Sequence, residues 1–247
     1  MTSLRAVAAR ATVLLCDADG NLFPSEEPAF EASARVASAF LAQHGQRLEL
    51  DPDELRRQST GRSFRATLGE VAARRGIAAI PPEELERWVL EERHAVTAHL
   101  AAVLKPDPEV REPLQSLAAA GYRLAAVSSS ATERLDACFV ATDLDDLIPK
   151  RARFSAEDSL PEPASKPDPA VYRHACQALG IDPERAVAVE DSVPGVLSAV
   201  RAGIPTVGNL QFVPYDERHE RDEELRRAGA PVVVASWREL EAALSPS

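Results

Sequence analysis

The sequence predicts an α/β fold in which a doubly wound, Rossmann-like parallel sheet carries an inserted all-helical lobe. A short apolar run at Val13–Cys16 is typical of a strand buried on both faces, and residues 28–103 then show helical periodicity without a strand signal. From residue 110 onward, strand-like runs alternate with amphipathic segments, as expected for parallel strands covered by helices. We therefore expect an α/β core at residues 1–24 and 106–247, and a helical lobe at residues 25–105.

Length, composition and charge are compatible with this fold and narrow the function. The chain has 247 residues, 45% of them hydrophobic, and a formal net charge of -11. No block of Lys and Arg is present, which argues against nucleic-acid and membrane-surface partners, and no apolar run is long enough to span a bilayer. The three cysteines show no metal-ligand or disulfide spacing. We expect a cytoplasmic monomer or weak dimer that acts on a small soluble molecule.

The helices of the lobe have recognisable starts and ends. In residues 27–45 the apolar side chains of Phe30, Ala34 and Leu41 share one helical face, and Gly45 ends the segment. Asp51 is a typical N-cap, with proline at the first helical position. Two further amphipathic segments follow at residues 63–76 and 81–103.

The elements of the core alternate after the two prolines of the "KPDPEV" segment. We predict strands at residues 122–130, 185–191, 205–210 and 231–236. We predict helices at residues 110–121, 131–140, 166–180, 193–203, 216–229 and 237–244.

Polar side chains gather where these strands end. Ligands of open α/β sheets bind at the carboxyl ends of the strands. Taken singly, each polar group has an ordinary structural explanation as a turn residue, a helix cap or a solvated lysine. Together they place four carboxylates, a hydroxyl cluster and one lysine at one sheet edge: Asp17, Asp19, Ser128, Ser129, Ser130, Lys166, Glu190 and Asp191.

This set of groups indicates phosphoryl chemistry. Four carboxylates repel one another unless a cation lies between them, and ligands that are all oxygen suit Mg²⁺. A lysine and a hydroxyl cluster at a helix N-terminus suit a phosphoryl group. Asp17 would attack phosphorus, while Asp19 would protonate the leaving oxygen and then activate water.

At these residues the chain resembles the haloacid dehalogenase superfamily of hydrolases, over nearly its whole length. Four segments resemble the family motifs, in the right order: "DADGNL", "VSS" at 127–129, "SKPDP" at 165–169 and "VEDSVPGVLSAVRAG". The resemblance implies that Asp17 is nucleophile and metal ligand. It implies that Asp19 is the acid/base and binds the metal through its backbone carbonyl. Lys166 would neutralise both the nucleophile and the phosphate.

The resemblance also assigns the remaining polar groups of the sheet edge. Ser128, with Ser129 beside it, would bind the phosphoryl oxygens of the substrate. Glu190 and Asp191 would complete the Mg²⁺ site. The lobe would be the helical cap of the family, which closes over the substrate.

Three further residues are predicted to contact substrate. Asn21 stands where the family usually has threonine, and we expect its amide to donate to the phosphate. In the lobe, "GRSFRATL" resembles the substrate-contact loop of the family, so Arg62 and Arg65 are predicted contacts, although a solvated helix start explains them equally well.

The function predicted from the sequence is a Mg²⁺-dependent phosphatase acting on a small phosphorylated metabolite. Dehalogenation is disfavoured, because that branch of the family lacks an acid/base at the position of Asp19. A sugar-phosphate mutase of the same fold stays an alternative. A non-enzymatic phosphoacceptor or binding protein is the other alternative.

Overall fold

The computed structural model describes residues 4–59, 63–77 and 80–244. The chain divides into two compact units, one formed by Met1–Pro24 with Lys105–Ser247 and the other by Ser25–Leu104. Eleven α-helices lie in the described residues: α1 Leu4–Val7, α2 Glu26–Gln43, α3 Pro52–Ser59, α4 Phe64–Arg74, α5 Pro82–Val103, α6 Pro108–Ala119, α7 Thr132–Ala141, α8 Ala170–Leu179, α9 Val193–Arg201, α10 Arg218–Ala228 and α11 Trp237–Leu244.

The first unit is built on a six-stranded parallel sheet. The strands are β1 Val13–Cys16, β2 Arg123–Ser128, β3 Arg153–Ser155, β4 Ala186–Glu190, β5 Thr206–Asn209 and β6 Val232–Val234. Their spatial order is β3-β2-β1-β4-β5-β6, and every pair of neighbours is parallel. The predicted α/β fold with a parallel sheet is confirmed.

The central strand β1 is fully buried because it is apolar on both faces. Val13 and Leu15 pack with residues of β2, β4, α8 and α9 in one hydrophobic cluster. Leu14 and Cys16 point to the opposite face and are also fully buried. Such a continuous apolar run is the pattern of a strand in a sheet covered on both faces.

The strand order brings the chemically important strand ends together. The chain leaves β1, adds β2 and β3 on one side, and then adds β4, β5 and β6 on the other side. Cys16 of β1 is in register with Ala126 of β2 and with Val189 of β4. The carboxyl ends of β1, β2 and β4 are therefore neighbours at the switch point where open α/β sheets bind ligands.

The second unit contains α2, α3, α4 and α5, and helix is the only regular secondary structure in the part of it that the structure describes. Its core joins Phe40 and Leu41 of α2, Leu68 and Ala72 of α4, and Trp88 of α5. The rings of Trp88 and Phe40 pack edge to face, with their centroids 5.9 Å apart. Helices α2, α4 and α5 thus each bury one apolar face, as the amphipathic pattern predicts.

Two elements of the first unit were not indicated by the sequence pattern, namely α1 and β3. β3 has three residues, and the first is Arg153, whose guanidinium is buried against Asp136. Lys105, which we assigned to the helical lobe, falls in the α/β unit. None of the helices in the described ranges is long and apolar enough to cross a membrane.

Candidate active site

The turn after β1 fixes the two carboxylates of the first motif. The amide of Asp17 donates to the carbonyl of Val189 at 2.9 Å, so Asp17 extends the ladder between β1 and β4. Gly20 has a φ of 78° and donates to the carbonyl of Phe23 at 3.0 Å. A Cβ at Gly20 would lie 3.2 Å from Cγ of Asp191 and closer still to one of its oxygens. Glycine therefore allows both the left-handed turn and the close approach of Asp191.

Lys166 lies at the centre of the acidic groups. Its ammonium donates to Asp17 Oδ1, to Glu190 Oε1 at 2.6 Å and to the carbonyl of Val127 at 2.8 Å. These contacts use all three donors of the ammonium. Burial opposes the charge on Lys166, but Asp17 and Glu190 outweigh it and raise its pKa above the ordinary value. Lys166 is therefore a fixed, permanent cation.

Glu190 is held in place from three sides. Its side chain is fully buried, and Oε1 accepts a hydrogen bond from the Tyr172 hydroxyl at 2.5 Å in addition to that from Lys166. Gly195 of α9 packs directly on the carboxylate, with no room for a Cβ. The amide of Gly195 donates to the Ser192 hydroxyl at 3.2 Å, which caps the start of α9. The glycine of the fourth motif thus lets the helix begin against the carboxylate.

Asp17, Glu190 and Asp191 form a group that fits a metal ion. Each offers one carboxylate oxygen, and these oxygens lie within 4.8 Å of one another. Oδ1 of Asp191 is buried and has no hydrogen-bond partner. Burial, followed by the charge of Glu190, raises the pKa of Asp191 to about 7. A cluster of buried carboxylates with an unsatisfied oxygen suits a hard cation, so the residues present fit the predicted Mg²⁺.

Burial also raises the pKa of Asp17 well above its ordinary value. The ammonium of Lys166 lowers that pKa, whereas the charges of Glu190 and Asp191 raise it. The Asp17 carboxylate is therefore strongly desolvated, and its ionised form depends on nearby positive charge.

The serines after β2 face Asp19. The Ser130 hydroxyl donates to Asp19 Oδ2 at 2.7 Å, and the Ser128 hydroxyl is 3.5 Å from the same oxygen. The Ser129 hydroxyl accepts from the backbone amide of Lys166 at 3.3 Å. The structure therefore brings the three serines of the predicted hydroxyl cluster to the site, and Ser130 makes the shortest contact with Asp19. Ser130 does not cap α7, because Ala131 occupies the N-cap position.

The structure corrects the prediction for Asn21. Its side chain is fully buried and donates to the carbonyls of Asp17 at 2.9 Å and Val189 at 3.0 Å. Its oxygen accepts from Asn209 at 2.8 Å. Both amide hydrogens are thus committed to backbone carbonyls, and Asn21 holds the turn after β1.

The two predicted contacts of the helical unit have different outcomes. Arg62 lies outside the described residues. Arg65 is exposed and forms an ion pair with Glu86 at 2.7 Å. An exposed pair of this kind is compatible with a solvated helix start.

Two residues of the site were missed by the sequence analysis. Tyr172 lies inside an amphipathic helix, where an aromatic residue is ordinarily a core residue. Arg134 of α7 donates to Asp19 Oδ1 at 2.7 Å. The available signal for Arg134 was its position in the first turn of α7, where a cation opposes the helix dipole.

The chain is similar to known proteins in both sequence and structure. The model of a hydrolase family, haloacid dehalogenase-like hydrolase, matches residues 11–203. Protein CbbY of Cereibacter sphaeroides is 31% identical over 169 residues, which are 66% of this chain and 66% of CbbY. Validoxylamine A 7'-phosphate phosphatase of Streptomyces hygroscopicus subsp. limoneus is 31% identical over 196 residues, which are 79% of this chain and 84% of that enzyme.

A solved structure shares both the fold and part of the sequence. It is a HAD family hydrolase from Deinococcus radiodurans R1 with bound phosphate and sodium, 28% identical, with a TM-score of 0.70. The similarity covers 97% of this chain and 100% of the other.

Proposed function

Because the chain belongs to the haloacid dehalogenase-like hydrolase family, we propose that it is a phosphatase that hydrolyses small phosphomonoesters through an aspartyl-phosphate intermediate. The observation that carries the proposal is the contact of the Lys166 ammonium with both Asp17 and Glu190, beside the unpartnered oxygen of Asp191. Two similarities support it: one relative is named as a phosphatase, and the solved relative from Deinococcus holds phosphate.

In the first half-reaction Asp17 is the nucleophile. A carboxylate oxygen of Asp17 forms a bond to phosphorus as the bond from phosphorus to the leaving oxygen breaks. Lys166 fixes the Asp17 carboxylate through Oδ1, and the hydroxyls of Ser128 and Ser129 bind phosphoryl oxygens. Asp19 donates its proton to the leaving oxygen, so the product departs as an alcohol.

In the second half-reaction Asp19 acts as base. It takes a proton from a water molecule, whose oxygen attacks phosphorus and displaces the Asp17 carboxylate. Inorganic phosphate is released, and Asp19 is again protonated for the next cycle. One group thus serves as acid and then as base, which explains why the two carboxylates lie one residue apart.

Asp17, Glu190 and Asp191, with the backbone carbonyl of Asp19, would hold Mg²⁺. When bound, Mg²⁺ neutralises charge on the phosphoryl oxygens and on the carboxylates that surround them. Arg62 and Arg65 are proposed to contact the part of the substrate that does not react, because guanidinium groups suit hydroxyl and carboxylate acceptors.

The test is phosphate release from a panel of phosphorylated metabolites in the presence of Mg²⁺. We expect turnover of at least one sugar phosphate or biosynthetic intermediate, and its loss in Asp17→Asn. Asp145→Asn, a change at an exposed position of the same unit, is the matched control and should keep full activity. Substantial turnover by Asp17→Asn would overturn the assignment of the nucleophile.

The mutase alternative is distinguished in the same assay. A mutase returns the phosphoryl group to a sugar phosphate, so the product is an isomer and little inorganic phosphate appears. Phosphate release that accounts for all substrate consumed would exclude the mutase.

A further inference from the structure

We propose that Arg134 is a positioning residue that fixes the orientation of the acid/base Asp19, an inference that rests on the proposed function. The Arg134 guanidinium donates to Asp19 Oδ1 at 2.7 Å, and both side chains are about one-quarter exposed. No motif of the chain includes Arg134.

The two oxygens of Asp19 are held from two sides. Ser130 donates to Oδ2 at 2.7 Å, whereas Arg134 donates to Oδ1. The backbone of Asp19 is fixed too, because Asp19 pairs with Phe23 in a β-bridge across the turn at Gly20. With backbone and both oxygens restrained, the plane of the carboxylate has one orientation.

The location of Arg134 in the helix supports a role at this site. Arg134 is the third residue of α7, where an unpaired cation is disfavoured by the helix dipole. One turn further along α7, the thiol of Cys138 is buried. Burial and the charge of Asp19 raise the pKa of this thiol to about 12, although the charge of Arg134 lowers it in part. The contact with Asp19 at 2.7 Å gives the Arg134 guanidinium a carboxylate partner at this position.

This restraint should govern the rate of proton transfer and not the binding of phosphate. Ser128, Ser129 and Lys166 are the proposed phosphate contacts, and Arg134 is bonded to the acid/base instead. A displaced acid/base slows a reaction steeply, because misplacement by about 1 Å costs up to about 10²-fold in rate. With a leaving group that needs no proton, only the second half-reaction requires Asp19. A comparison of the two rates therefore distinguishes a positioning role of Arg134 from substrate binding or a general structural role.

The experiment is pre-steady-state hydrolysis of p-nitrophenyl phosphate by the full chain with Mg²⁺. Nitrophenolate leaves without protonation, so the first half-reaction does not need an acid, whereas attack of water in the second still needs a base. For Arg134→Met we expect a nitrophenolate burst whose rate is within about 3-fold of the wild type, followed by a steady state about 10²-fold slower. KM should not rise.

Two further variants are the controls. Arg134→Lys retains the charge and one donor and should show a smaller loss of the same kind, and it replaces Arg134→Met if that protein does not fold. Arg238→Met removes exposed ion pairs with Glu109 and Glu112 in the same unit and should have wild-type kinetics.

Three outcomes would overturn the inference: unchanged steady-state rates in both Arg134 variants, a raised KM without a burst, or equal slowing of both phases. The second would make Arg134 a substrate contact, and the third would make it a general structural residue. Failure of the wild-type protein to hydrolyse any phosphomonoester would instead refute the proposed function, so the two failures are distinguishable.

Discussion

Replacement of Gly195 by alanine tests whether helix packing sets the position of Glu190. A Cβ at Gly195 would lie 2.5 Å from Glu190 Oε1 and closer still to Oε2 and Cδ. These separations are far below ordinary van der Waals contact, so the carboxylate would have to move by roughly 1 Å or more. Such a movement breaks the bonds that Oε1 accepts from Tyr172 at 2.5 Å and from Lys166 at 2.6 Å.

The expected loss of stability follows from three contributions. Overpacking costs about 1–3 kcal/mol, and weakened hydrogen bonds to a charged group cost about 1.5–3 kcal/mol. The better helix propensity of alanine returns about 1 kcal/mol. The net loss is roughly 3 kcal/mol, which lowers Tm by roughly 6–12 °C in a chain of this size. Because Lys166 loses one of its carboxylate partners, we also expect kcat to fall by about 10²-fold.

Thermal unfolding and phosphate release measured on the same preparation check both numbers. Gly69→Ala is the matched control, since Gly69 is also helical and a Cβ there has no atom within 4 Å. That variant should be up to about 1 kcal/mol more stable than the wild type and fully active. A Gly195→Ala protein with wild-type Tm and wild-type kcat would refute the packing of α9 on Glu190.

Three further outcomes are expected. Mg²⁺ at 100 times its Kd should stabilise the protein by about 2.7 kcal/mol and raise Tm by roughly 5–10 °C. Asp191→Asn should largely remove this stabilisation. An equal rise of Tm in that variant would contradict the metal site. Asp136→Asn leaves the buried guanidinium of Arg153 without its carboxylate and should cost about 2–3 kcal/mol at pH 7. Burial opposes ionisation of Asp136, but its basic partners outweigh it and lower its pKa, so the contribution is present above about pH 4. The stabilisation by the ion pair is lost as pH falls through the lowered pKa of Asp136 in the folded state. Urea unfolding should therefore give free energies of unfolding for the wild type and Asp136→Asn that converge in acid. A difference that stays constant with pH would exclude the ion pair as its cause. Arg65→Ala should lower kcat/KM more for a metabolite substrate than for p-nitrophenyl phosphate, whereas Glu86→Ala should not; equal losses on both substrates, or none, would remove Arg65 as a contact.

The sequence was sufficient for five of the six strands and for the residues grouped at the sheet edge, because both depend on local patterns. Val13–Cys16 is apolar at every position, and each later strand of the core except β3 is bounded by a turn signal and followed by a helix. Strands that alternate with helices form a parallel sheet, and the carboxyl ends of its strands lie at the same edge. Asp17, Lys166 and Asp191 are therefore expected at that edge.

The features that the sequence could not indicate depend on contacts between distant residues. Asn21 looks like a turn residue with a free amide, and only the positions of Val189 and Asn209 show that the amide is committed to the fold. Arg134 looks like a solvated helix residue until Asp19 is placed beside it. β3 is too short for a periodic pattern, and its first residue is a charged Arg153 whose burial depends on Asp136.

The charge balance at the sheet edge explains why a divalent ion suits this site. The Lys166 ammonium contacts Asp17 and Glu190, and Asp191 lies beside these two carboxylates. Three carboxylates therefore share one ammonium, which leaves an excess of two negative charges when all three are ionised. Arg221 donates to the backbone carbonyl of Asp191 and pairs with Glu224. Its charge lowers the pKa of Asp191, but burial and the charge of Glu190 outweigh it. Without a metal, protonation of the carboxylates reduces the excess negative charge. The raised pKa values of Asp17 and Asp191 show that both groups favour the protonated form under these conditions. A divalent cation would offset this excess and favour the ionised form of Asp17, which its proposed role as nucleophile requires.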